Sequence, residues 1–98
     1  PIDTIVAAIG EGAPVVDVRT DAEYGEGHVA GALHADVLDA DFRDLVGDLP
    51  RDEPVYVYCA SGVRSGRASR ILEAMGFERV VNAGGFRDLA DAGASVAR

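Results

Sequence analysis

The chain holds one cysteine, no lysine and no tryptophan among its 98 residues. A single thiol excludes an intramolecular disulfide and every multi-cysteine zinc or iron–sulfur site. His28 and His34 give no metal-ligand spacing with Cys59, so neither a metal nor any other cofactor is expected. Basic residues are scarce, and the formal net charge is −8. Nucleic acid needs a basic footprint, so it is excluded as a partner. No apolar run approaches a membrane span, so no membrane partner is expected. Nothing at the N-terminus reads as a signal peptide. A lone cysteine in such an acidic chain points to the cytoplasm, where it is either inert and buried or reactive.

What is present is enough for one domain, expected over residues 1–98. Hydrophobic residues make up 48% of the chain, which rejects disorder and allows a modest core. Asp3 is placed to cap a short helix through Ile9, with Ile5, Val6 and Ile9 on one face. Val15–Arg19 reads as a strand, Asp21–Glu26 as a single helical turn, and Val29–His34 as a short strand. Leu38 to Val46 reads as a helix. Val55–Cys59 is a second clear strand. Ala68, Ile71, Leu72 and Met75 then fall at i, i+3, i+4 and i+7, one apolar helix face closed by Gly76. Arg79–Asn82 is a third strand, and Gly84–Gly85 turns into a last helix near Phe86–Ala92. Strands alternating with helices predict an α/β fold, a mainly parallel sheet covered on both faces.

Such sheets bind ligands outside the carboxyl ends of their strands. Cys59 stands at one of those ends, ahead of the tight loop Ala60, Ser61, Gly62, Val63, Arg64. Gly62 can adopt positive φ, so successive amides can converge into a nest at the start of the next helix. A nest over a sulfur lowers the thiol pKa and holds negative charge on whatever the sulfur carries. Arg64 adds a fixed cation suited to oxyanions. The ordinary reading of a lone cysteine is a small core residue; the strand–Cys–loop–helix context favours the reactive one.

The run from Cys59 through Gly62, Arg64 and Ser65 to Ala68, Leu72 and Gly76-Phe77 resembles the active-site loop and following helix of rhodanese domains. "VVDVRTDAEYGEGHVAGA" (Val15–Ala32) resembles an earlier signature of that family, and "NAGGFRDL" its closing Gly-Gly motif. The resemblance implies a rhodanese-like three-layer sandwich with a mainly parallel sheet of about five strands. It also implies sulfur transfer through a persulfide on Cys59, with Ala60, Ser61, Gly62, Val63 and Arg64 as substrate-binding residues. The donor would be thiosulfate or a similar small molecule. The acceptor would be cyanide, a thiol or another protein, since the chain has no second cysteine. Ser65, Arg67 and Asp17 are accessory candidates. Each has an ordinary alternative: helix start for Ser65, solvated helix face for Arg67, scaffold carboxylate for Asp17. Arg19 and Glu23 are expected to form an ion pair. His28 is expected to be a turn residue with its ring bonded to backbone.

Three other functions compete. One is a non-catalytic binding or regulatory module of the same family, although inactive members typically lose the cysteine. Another is a dedicated persulfide carrier. The third is a cell-cycle-type protein phosphatase or arsenate reductase, whose loops place one residue more between Cys and Arg than the four found here. Two departures from the family pattern stand out. Leu89 occupies a position often held by Trp and is expected to fill the same core slot, and the strand expected ahead of Asp3 is barely visible.

Overall fold

A computed structural model describes residues 1–98. Helix α1 (Ile2–Gly10) is followed by strand β1 (Val15–Asp17), helix α2 (Asp21–Glu26), and strands β2 (His28–Val29) and β3 (Leu33–His34). Then come helix α3 (Phe42–Val46), strand β4 (Val55–Cys59), helix α4 (Val63–Ala74), strand β5 (Val80–Gly85), helix α5 (Phe86–Asp91) and strand β6 (Val96–Ala97). The main sheet is all parallel, in the order β3-β1-β4-β5. It has four strands rather than the five expected; β2 and β6 form a separate antiparallel ribbon.

The period-two alternation of β4 divides the core. Val55, Val57 and Cys59 face one layer, where Phe42, Val46, Ala68, Leu72 and Phe77 pack from α3, α4 and the turn after α4. Tyr58 faces the other layer, with Val15, Val29 and Leu89, and with Ile5, Val6 and Ile9 of α1 against them. The sheet thus lies between two helical layers, and Cys59 belongs to the α4 side. Leu89 is fully buried, in the core slot expected of it.

Several expected boundaries shift for local reasons. The first helix starts at Ile2, so Asp3 sits inside its first turn and no side chain caps it. β1 stops at Asp17, yet backbone bonds from Val18 to Tyr58 O and from Val37 to Val18 O continue the pairing. The segment Val29–His34 breaks at Gly31 (φ 83°), and its two ends join different sheets. The helix expected from Leu38 begins only at Phe42, because the Asp36 carboxylate accepts from Leu38 N at 2.9 Å and holds a turn there. Gly84 and Gly85 remain within β5.

Candidate active site

β4 carries Cys59 to the carboxyl edge of the sheet, and Gly62 (φ 98°) turns the chain directly into α4. That left-handed conformation suits glycine and brings the Gly62 amide to 3.0 Å from Cys59 Sγ. The Ser65 hydroxyl, one turn into α4, donates to Sγ at 3.4 Å. Burial by itself would raise the thiol pKa; the Ser65 hydroxyl and the amides of Ser65, Ser61 and Gly62 outweigh it and lower the pKa. Cys59 is buried while Ala60, Ser61 and Val63 around it are exposed.

Strand β5 holds the loop from beneath. Asn82 Nδ2 donates to Gly62 O at 2.9 Å, and its Oδ1 accepts from Ser65 Oγ at 2.7 Å and from Gly84 N at 3.1 Å. One side chain therefore fixes the loop glycine and the serine that faces the thiol. The Gly-Gly pair explains itself here: a Cβ on Gly85 would lie 2.5 Å from Ala60 O, and one on Gly62 would lie 3.5 Å from Gly84 Cα. The loop rests on bare backbone. Asn82 was not among the expected site residues; its one sequence signal was its place at the head of the NAGGFRDL motif, which does not say what it reaches across the sheet.

Arg64 takes an unexpected position. Its Nη1 and Nη2 donate to the two carboxylate oxygens of Glu23, at 2.8 and 3.0 Å. This corrects the expected Arg19–Glu23 pair. Glu23 instead completes a capping box on α2, accepting from Thr20 N at 3.0 Å while its own amide donates to Thr20 Oγ1. The Thr-x-x-Glu spacing is the local pattern that builds such a box. The Arg64 guanidinium, with Thr20 assisting, drives the Glu23 acid down to about 2, and Glu23 raises the pKa of Arg64 in turn.

Arg19 turns to Asp17, with Nη2–Oδ2 at 2.7 Å and both groups buried. Tyr58 Oη donates to the same Asp17 oxygen at 2.6 Å and accepts from Val29 N at 2.9 Å. Burial and this carboxylate push the Tyr58 phenol far above its ordinary pKa, so it stays protonated as a donor. Asp17 lies on the sheet face opposite Cys59, with Tyr58, and ties β1 to β4 rather than reaching the thiol. Arg67 is exposed on α4. Ser65 is fully buried in the first turn of α4, so it is more than the helix-start residue of the ordinary reading: its hydroxyl faces the thiol. His28 lies in β2 rather than in a turn, while its Nδ1, 3.0 Å from Tyr24 O, makes the expected ring-to-backbone contact and the ring stacks on Tyr24. No cluster of metal-ligating side chains exists, and no helix is long and apolar enough to cross a membrane.

The arrangement is a thiol of lowered pKa at a strand end, met by the Gly62 amide and the Ser65 hydroxyl. It matches known proteins at both the sequence and the structural level. The model of the rhodanese-like domain family matches residues 2–92. The chain is 37% identical over 75 residues to thiosulfate sulfurtransferase PspE of Escherichia coli, covering 76% of this chain and 72% of that protein. It is 33% identical over 68 residues to the putative sulfur carrier protein YrkF of Bacillus subtilis, covering 69% of this chain but 36% of that protein. A solved rhodanese from Escherichia coli, with anions, superposes with a TM-score of 0.75 at 31% identity, over 89% of this chain and 99% of that one. Fold, motif order and family model agree, and the chain belongs to the rhodanese-like domain family of sulfurtransferases.

Proposed function

We propose that the protein takes sulfane sulfur from thiosulfate or a similar small donor onto Cys59, and passes it to a thiophilic acceptor such as cyanide or a thiol. The observation that carries this reading is the Gly62 amide, 3.0 Å from Cys59 Sγ in a loop whose other amides also favour the thiolate. The Cys59 thiolate attacks the outer sulfur of the donor. A sulfur–sulfur bond forms at Cys59 as the donor's own sulfur–sulfur bond breaks, and the electron pair leaves with sulfite when thiosulfate is the donor. The negative charge moves to the outer sulfur of the persulfide, where the loop amides can follow it. A nucleophilic acceptor then takes that sulfur and restores the thiolate.

Phosphoryl chemistry is disfavoured by the same geometry. It needs an arginine free to clamp a tetrahedral anion with both nitrogens, and Arg64 spends both on Glu23. A dedicated persulfide carrier is the second reading, favoured by the single thiol and by the similarity to a putative sulfur carrier protein. Intact mass after exposure to thiosulfate tests the proposal. The expected result is a gain of one sulfur atom, removed by cyanide and absent in Cys59→Ser. Catalytic thiocyanate formation separates an enzyme from a carrier that unloads only to its partner. No gain from thiosulfate, mercaptopyruvate or a persulfide donor defeats both readings.

A further inference from the structure

We infer that Glu23 is a specificity-determining residue: by occupying Arg64 it tunes the site away from dianionic donors and toward donors that carry one negative charge, such as the persulfide of a neutral thiol. The inference rests on the sulfur-transfer reading of the site and narrows its donor class.

Arg64 is the only basic residue between Cys59 and Ser65. Both of its terminal nitrogens are engaged by one carboxylate, the fork-to-fork geometry that would otherwise read an oxyanion. The pair is not a loose surface contact. Arg64 sits in the first turn of α4, and Glu23 is locked by the capping box at the start of α2. Both side chains are about two-thirds buried, with 28% and 31% exposure. The Glu23 acid lies near 2, so the carboxylate stays charged throughout the working pH range. Asp36 adds a further negative field at Arg64. The net charge that the pair presents to a donor is therefore close to zero. What remains to attract an anion is the set of loop amides, and the cancelled full charge of Arg64 costs a dianion about twice the Coulomb attraction that it costs a monoanion.

Glu23→Gln isolates this effect. Glutamine keeps the capping box, which accepts either residue, and removes the charge that holds Arg64. The probe is inorganic sulfate, an unreactive dianion, titrated while the amide signals of residues 60 to 64 are followed by NMR. Glu23→Gln is expected to bind sulfate about tenfold tighter than the parent, the scale of one charge-assisted contact regained. The charge-conserving double variant Glu23→Gln/Arg64→Gln is expected to return to the parent affinity. In persulfide loading, the KM for thiosulfate falls in Glu23→Gln, while that for the persulfide of mercaptoethanol stays near the parent value. Unchanged sulfate affinity in folded Glu23→Gln overturns the inference. So does a double variant that binds sulfate much more weakly than the parent, because Arg64 would then already serve anions; this arm stands even if the single variant fails to fold. Sulfate binding needs no chemistry at Cys59. Its failure leaves the sulfur-transfer reading intact, while absence of sulfur uptake from every donor defeats that reading alone.

Discussion

Replacing Ser65 by alanine deletes one hydroxyl from the surroundings of Cys59 and leaves the loop amides in place. In the parent, that hydroxyl stands 3.4 Å from Sγ and 2.7 Å from Asn82 Oδ1. It has one proton to give, so the bond to sulfur is shared and long. Hydrogen bonds to charged groups contribute about 1.5–3 kcal/mol. A shared one falls just below that range, near 1.4 kcal/mol, which corresponds to about one pH unit on the thiol. Burial opposes ionisation of Cys59 and the hydrogen bonds favour it, so losing one of them must move the pKa upward. The thiolate is then formed only at higher pH, and less of it is present at neutral pH. Alkylation by iodoacetamide across a pH series reads this directly. The midpoint is expected to rise by about one unit, and the rate at neutral pH to fall by up to about tenfold. Asn82 Oδ1 keeps its bond from Gly84 N, so no buried acceptor is orphaned. The stability cost should stay near 1 kcal/mol, checked by thermal unfolding. An unchanged or lower midpoint in a folded variant would refute the argument that Ser65 helps hold the thiolate.

Two further perturbations test the scaffold. In Gly85→Ala the new methyl group meets Ala60 O at 2.5 Å, so the loop must lift off β5. Overpacking of this kind costs about 1–3 kcal/mol, and persulfide formation should drop more steeply than unfolding temperature; full sulfur uptake would show that the close approach is not needed. Asp17→Asn leaves the Arg19 guanidinium buried without its counter-charge, a loss of about 3–5 kcal/mol. Chemical denaturation should show it. The alkylation midpoint of the still-folded protein should hardly move, because the network faces away from Cys59.

Much of the fold was readable because its signals are local. The strand Val55–Cys59 and the turn Asp21–Glu26 were expected with the boundaries they have. The apolar face of Ala68, Ile71, Leu72 and Met75 packs on the α4 side of the sheet. Where local and tertiary demands differ, local reading fails. Leu38 looks like the start of an apolar helix face, yet it is 62% exposed because Asp36 holds the preceding chain in a turn. Val29 to His34 looks like one strand, yet its halves find different partners.

The sequence by itself determined where the single thiol sits and what flanks it along the chain. One thiol at the end of an apolar strand, followed by a glycine-bearing loop and an amphipathic helix, is a statement about neighbours in the chain, and helix and strand periodicities carry such statements. The ion pairs were decided elsewhere. Arg19 is four residues from Glu23 and two from Asp17, and it chose Asp17 because Tyr58 and Gly27 complete a buried socket there. Glu23 was thereby left for Arg64, 41 residues away. Asn82 reaches the loop by way of strand order, not sequence distance. Long side chains select among partners by the geometry and burial that the whole fold provides, and those exist only once β1, β4 and β5 lie side by side.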